Sequence, residues 1–173
     1  MSPALKRRAE EVLRQAKARR LTLATVESCT AGALGLLLAD APGATEVFHG
    51  GFIVYTKANK TAAVGVTSAL IEAHTAVSRE VAEAMARGGI ERCPADIAVA
   101  VTGVAGPEPD EDGNPVGLIH LAAACRDGRV SHIERNFGKR SREENRELSL
   151  DAALGLIEAL LCATDSPGQA RRN

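Results

Sequence analysis

A chain of 173 residues, 45 % hydrophobic and 25 % charged, fits one domain large enough to bury its own core. One Tyr, three Phe and no Trp leave that core to Leu, Val, Ile and Ala. They also deny the chain the stacking platforms of a single-strand nucleic-acid binder, and a net charge of −1 denies it a basic footprint.

No stretch approaches the ~20 apolar residues of a membrane span. Lys6, Arg7 and Arg8 lead into no long apolar run, so the N-terminus does not read as a signal peptide. Cys29, Cys93, Cys125 and Cys162 are widely spaced and form no C-x-x-C pair. Reduced thiols in a cytoplasmic protein are the expectation.

In chain order, Leu5, Ala9, Val12, Leu13 and Ala16 recur at helical spacing, which predicts an amphipathic helix over 4–19. A short strand, 21–26, ends at Glu27-Ser28-Cys29-Thr30, and a small-residue helix is predicted over 30–39, stopped by Asp40-Ala41-Pro42-Gly43. Residues 47–55 read as a strand whose Gly50-Gly51 pair marks a bulge or a close backbone approach. Short helices follow over 57–64 and from Thr67 to about Ala73. Ser78 caps a helix over 79–91, ended by Pro94.

Ile97 to Val101 is an apolar run typical of a strand buried on both faces, and 102–115 reads as a loop. Strands 116–125 and 130–137 form a hairpin about Asp127-Gly128. Ser141-Arg142-Glu143-Glu144 is a capping box that opens the last helix, whose core stripe runs through Leu150, Ala153, Leu154, Ile157, Leu160 and Leu161. The whole predicts a single three-layer α/β/α domain with a mixed sheet over 1–163, followed by a frayed tail, 164–173.

Ligands of open α/β sheets gather at the carboxyl ends of parallel strands. Three polar segments stand there: Glu27-Ser28-Cys29-Thr30, Tyr55 to Lys60, and Thr102-Gly103-Val104-Ala105-Gly106-Pro107. Ser28 alone reads first as a helix cap, and only its company turns it toward a nucleophile. As a nucleophile it needs a base, and a desolvated lysine serves, with Lys57 and Lys60 both available beyond Tyr55. Gly103 and Gly106 let backbone approach a ligand, although the segment matches no nucleotide-binding motif.

Arg140, Arg142 and Arg146 cluster at the start of the last helix, with Arg142 and Arg146 extending its inward stripe. Such arginines suit a phosphate or carboxylate. Glu108 to Pro115 fails the EF-hand template and reads as an acidic loop or lid. The histidines have no metal-ligand spacing, so neither metal nor cofactor is expected.

These segments, with Gly50 to Tyr55, Ala76-Val77-Ser78, Pro115-Val116-Gly117 and Phe137-Gly138-Lys139-Arg140, resemble the C-terminal domain family of competence/damage-inducible protein CinA. The resemblance spans nearly the whole chain and suggests the stand-alone form, known as nicotinamide mononucleotide deamidase. It implies an α/β/α fold and hydrolysis of that nucleotide's amide, giving nicotinate mononucleotide and ammonia. Carried residue by residue, it implies Ser28 as nucleophile, Lys60 rather than Lys57 as base, Tyr55 as orienting or relaying group, and Thr102 and the C-terminal arginine region, Arg142 foremost with Arg140, near the site. Backbone N–H groups at the helix start near Thr30 are the expected oxyanion donors, with Gly103 of the glycine turn beside the substrate.

Two positions depart from the family pattern. Ala31 replaces a usual glycine, which a helical residue tolerates, and Asn114 replaces a lysine within an acidic stretch. The second departure keeps two alternatives open: a pyridine-nucleotide-binding module without turnover, or an amidase for another small amide. A DNA-uptake role has no support in charge or aromatic content. The expected partner is a small-molecule nucleotide, with a two-fold homodimer expected only from the base rate for small α/β enzymes.

Overall fold

The computed structural model describes residues 1–163. The predicted tail, 164–173, lies outside the described residues. Twelve elements follow in order: α1 (Pro3–Ala18), β1 (Leu23–Glu27), α2 (Ala33–Ala39), α3 (Ala44–Val47), β2 (Phe48–Ile53), α4 (Lys57–Val64), α5 (Ser68–His74), α6 (Arg79–Arg92), β3 (Ile97–Gly103), β4 (Leu118–Cys125), β5 (Val130–Asn136) and α7 (Arg142–Ala163).

They build one five-stranded mixed sheet in the order β2-β1-β3-β4-β5. The pairs β2–β1 and β1–β3 are parallel, and β3–β4 and β4–β5 antiparallel. The architecture is the three-layer α/β/α fold expected from the alternation of periodicities.

The two sheet faces differ in side-chain size, and the difference sets how the helices pack. Leu23, Ile97, Val99, Val101, Ile119 and Leu121 fill one face beneath α1, α2 and α7. Ala98, Ala100, Ala122 and Ala124 pave much of the other. Small residues let α6 lie close: a Cβ on its Gly89 would come 2.7 Å from Val26 and 3.0 Å from Ala98. At Gly88 a Cβ would collide with the Val64 carbonyl of α4, so this helix also fixes α4 against the sheet.

The Gly50-Gly51 pair behaves as its sequence suggested. The β1–β2 register slips between Leu23 and Ala24, Gly50 adopts φ +124°, and a Cβ on Gly51 would run into Thr25. The capping box of α7 also forms, with Ser141 N–H donating to Glu144 Oε2 at 2.9 Å and Glu144 N–H to Ser141 Oγ at 3.2 Å.

The largest local departure from expectation lies after β1. Helix α2 begins at Ala33, not at position 30. Ala31 (φ +53°) and Gly32 (φ +93°) are left-handed, so 28–32 is a turn. Position 31 therefore holds a positive φ, and the helical tolerance expected of alanine there does not apply. The four-residue helix α3 lies inside a segment that the sequence offered only as a strand start and a helix stop.

Candidate active site

Strands β1 and β3 and the end of β2 deliver their following turns to one cleft of about 620 Å³. Ser28 and Cys29 form its floor, Thr102 to Gly106 one wall, and Arg142 and Arg146 of α7 another. Tyr55, Lys57 and the acidic residues Glu108, Asp110, Glu111 and Asp112 rim it.

Glu27 shapes the floor. Its side chain is 1 % exposed and accepts the Gly32, Leu34 and Gly35 N–H groups at 3.0, 3.0 and 2.7 Å. The carboxylate thus takes the free donors at the start of α2, where the helix dipole favours negative charge. Ser28 is consequently not the cap that its position suggested. Its own N–H is tied to Val101 O of β3 at 2.9 Å, and its hydroxyl is left for the cleft.

Lys60 meets that hydroxyl. On α4, capped by Thr56, its side chain runs inward and is 1 % exposed. Nζ lies 2.9 Å from Ser28 Oγ and donates to the Val54 carbonyl at 3.0 Å. Burial pulls its pKa down to about 8, with the Lys57 charge adding a smaller push in the same direction and Cys29 opposing. A largely neutral amine in contact with a buried hydroxyl at weakly basic pH is the arrangement of a general base and its nucleophile.

Neighbouring Cys29 is the poorer nucleophile, because burial raises its thiol pKa to about 12.

The cleft gathers most of the residues singled out in the sequence. Ser28, Lys60, Tyr55, Thr102, Gly103 and Arg142 line it. Thr102 Oγ1 donates to Ala76 O at 2.8 Å, which fixes the segment leading into α6 as part of the wall.

Two expectations, on Arg140 and Tyr55, need correction. Arg140 points elsewhere: its Nε donates to Phe137 O, and it lines a separate cavity between α1 and α7, because it precedes the first turn whose stripe faces the cleft. Thr30, expected to act through the backbone of the helix start, keeps its side chain buried and out of the cleft lining, so that only its N–H is left for such a role. Tyr55 is 55 % exposed and makes no hydrogen bond to Ser28 or Lys60 among the described residues; the Val54 carbonyl, one position earlier, orients the lysine instead.

Asn114 also turns away from the cleft, bonding Asp110 Oδ2 at 2.8 Å and Thr75 Oγ1 at 3.3 Å. The acidic loop faces inward, and Lys57 bridges to Glu111 at 2.7 Å and Asp112 at 2.9 Å across the rim. Sequence reasoning missed the role of Glu27, although a carboxylate closing an apolar strand just before a helix start is its signature. It placed Arg146 on the inward stripe as an anion-binding arginine, whereas in the structure its Nε donates to the Cys29 carbonyl.

Among the described residues no group of three or more His, Cys, Asp or Glu side chains is placed to hold a metal ion, and no helix is long and apolar enough to cross a membrane.

Fold and cleft together define a three-layer α/β/α domain with a buried serine–lysine pair at the carboxyl ends of its parallel strands. The CinA C-terminal domain model matches residues 5–161, and the chain belongs to that family. A CinA-like protein of Synechococcus sp. (strain RCC307) is 46 % identical over 154 residues, covering 88 % of this chain and 37 % of the relative. One from Mycobacterium marinum is 44 % identical over 140 residues, covering 80 % and 32 %. The chain therefore spans about a third of the length of the curated relatives it matches.

Solved structures agree. The competence/damage-inducible protein CihA of Agrobacterium tumefaciens superimposes with a TM-score of 0.89 at 36 % identity, covering 92 % of this chain and 97 % of that one. A CinA superfamily protein of Escherichia coli gives 0.86 at 31 %, covering 92 % and 93 %.

Proposed function

We propose that the chain is a serine–lysine amidohydrolase that deamidates nicotinamide mononucleotide. The observation that carries this reading is the 2.9 Å contact between Ser28 Oγ and a buried Lys60 Nζ whose pKa is drawn down to about 8.

Neutral Lys60 takes the Ser28 proton as Oγ attacks the carboxamide carbon. The negative charge that develops on the carbonyl oxygen is met by backbone donors of the 28–30 turn. The Cys29 and Thr30 N–H groups make no hydrogen bond to another residue among the described residues, whereas the next N–H groups of the turn and helix do. Protonated Lys60 then passes its proton to the amide nitrogen, the C–N bond breaks, and ammonia leaves. Water, deprotonated by the same amine, hydrolyses the ester on Ser28 and releases the acid. Each turnover consumes one water and regenerates both residues.

Arg142 supplies a fixed positive charge on the cleft wall for the substrate phosphate. Half-exposed Tyr55 offers an aromatic edge at the rim for the pyridine ring.

A second reading, an amidase for a small amide without a phosphate, is favoured by one observation: the cleft that the arginines line is rimmed by Glu108, Asp110, Glu111 and Asp112, while Asn114 bonds to Asp110 and does not line it. Ammonia release from nicotinamide mononucleotide, its riboside and free nicotinamide separates the readings. Release from the mononucleotide supports the first, release only from uncharged or cationic amides the second, and saturable binding of the mononucleotide without ammonia a non-catalytic module.

A further inference from the structure

Arg146 has no part in the chemistry described above, yet it holds the floor of the cleft. Its Nε donates to the Cys29 carbonyl oxygen at 2.9 Å, joining α7 to the turn that follows β1. A trans peptide is planar, so fixing the Cys29 C=O also fixes the Thr30 N–H, which points the opposite way.

The other donors near this peptide are committed. Ala31 N–H goes to Ser28 O at 3.0 Å, Ala33 N–H to Thr30 O at 3.1 Å, and the Gly32, Leu34 and Gly35 N–H groups go to Glu27. The N–H groups of Cys29 and Thr30 bond to no other described residue, and that of Thr30 belongs to the peptide whose carbonyl Arg146 grips.

The turn needs such a grip. Ala31 sits at φ +53°, a conformation that costs a non-glycine residue about 1–2 kcal/mol and persists only where the surroundings impose it. Glu27 imposes it from the helix side, and Arg146 from α7.

We infer that Arg146 is a positioning residue: by holding the Cys29 carbonyl it keeps the Ser28–Thr30 turn oriented so that its uncommitted N–H groups serve the oxyanion formed during attack by Ser28. The inference deepens the proposed function and rests on Ser28 being the nucleophile. It assigns Arg146 to transition-state geometry, not to binding an anionic part of the substrate.

The test uses a neutral dialkyl fluorophosphate, which carries no anion for an arginine to bind. Ser28 Oγ forms a bond to phosphorus, its proton passes to Lys60, and fluoride leaves, so the reaction needs nucleophile, base and oxyanion donors but no substrate pocket. Labelling is followed by intact mass against pH for the wild type, Ser28→Ala, Arg146→Gln, Arg146→Met and Arg146→Lys. The wild type is expected to label along a profile that rises through about pH 8, and Ser28→Ala not to label.

Arg146→Gln is expected to keep that midpoint, because Lys60 is untouched, with a plateau lowered about 10-fold or more, the scale of a weakened oxyanion donor. Arg146→Lys, which retains a cationic donor, is expected to recover part of the loss. A wild-type plateau in Arg146→Gln, or in Arg146→Met where the glutamine variant does not fold, overturns the positioning role. A wild type that fails to label overturns the nucleophile reading, and the inference with it.

Discussion

Ser28 Oγ and Lys60 Nζ lie 2.9 Å apart, joined across 32 positions of sequence by the end of one strand and the second turn of a helix. The lysine is almost wholly buried, and its second contact is a carbonyl, Val54 O, that neutralises no charge. Burial therefore favours the neutral amine, which sets two pH dependences.

The first concerns rate. Lys60 acts only when neutral, so kcat/KM for amide hydrolysis is expected to rise with pH and level off above about pH 8. A flat profile between pH 6 and 9 (about two units below and one above that midpoint) would argue against Lys60 as the base.

The second concerns stability. The folded-state pKa of about 8 lies below the ordinary lysine value of 10.5, so between them the unfolded chain binds more protons and stability rises with pH. Below about pH 8 the cost of burying the amine is present in full. Lys60→Met lacks this dependence. Denaturant titration of both proteins is expected to show the wild type gaining on the variant from pH 8 to pH 10.5, and a constant difference would contradict the burial argument.

Cys29 gives a contrasting prediction. Its thiol is buried and its pKa lifted to about 12, while Cys162 is exposed. Iodoacetamide is expected to modify Cys162 and spare Cys29 in the folded protein, as read by peptide mass mapping. Cys29→Ala is expected to retain hydrolysis, because Arg146 holds the backbone carbonyl and not the sulfur. Loss of activity in that variant would return the thiol to consideration.

Glu27 anchors the same turn through three backbone N–H groups. Glu27→Ala leaves those donors without their carboxylate at a buried site and is expected to cost about 2–4 kcal/mol of unfolding free energy. Glu27→Gln keeps the shape but sets an amide N–H₂ against N–H donors, and is expected to fall between. Urea denaturation measures both, and an unchanged midpoint in Glu27→Ala would show that the carboxylate is not what holds the turn.

Ala31→Gly is expected to stabilise the protein by about 0.5–1 kcal/mol, the left-handed strain removed less the added freedom of the unfolded chain. Thermal unfolding reads the change, and a lower Tm would mean that the alanine methyl packs favourably enough to outweigh its φ of +53°.

The contrast between Ala31 and Lys60 marks how far the sequence could be read. Periodicity located α1, α6, α7, the hairpin and the strand buried on both faces, because apolar stripes and alternations are local. The close approach at Gly51 was legible for the same reason: a glycine pair inside a strand has few other uses.

The 28–32 turn was not legible, because small residues there suit a helix, whereas its contacts to the Glu27 carboxylate and to Arg146 of α7 act through space. Which lysine meets Ser28 was likewise hidden from composition and spacing, since Lys57 and Lys60 sit on one short helix. The two lie three positions apart, on one face of the helix, and both line the cleft: Lys60, further along α4, is buried against the hydroxyl, while Lys57, at the helix start, bridges Glu111 and Asp112 on the rim. The resemblance to the CinA family had singled out Lys60. It also brought Arg140, which the start of α7 leaves facing another cavity.

The central claim is that Ser28, activated by Lys60, hydrolyses the amide of nicotinamide mononucleotide. The most direct measurement is ammonia released from that nucleotide by the purified wild type and by Ser28→Ala at pH 8.5, chosen above the Lys60 midpoint of about 8. The account predicts stoichiometric ammonia and nicotinate mononucleotide from the wild type, and background release from a folded Ser28→Ala. Wild-type turnover in Ser28→Ala, or no ammonia from the wild type, would contradict it.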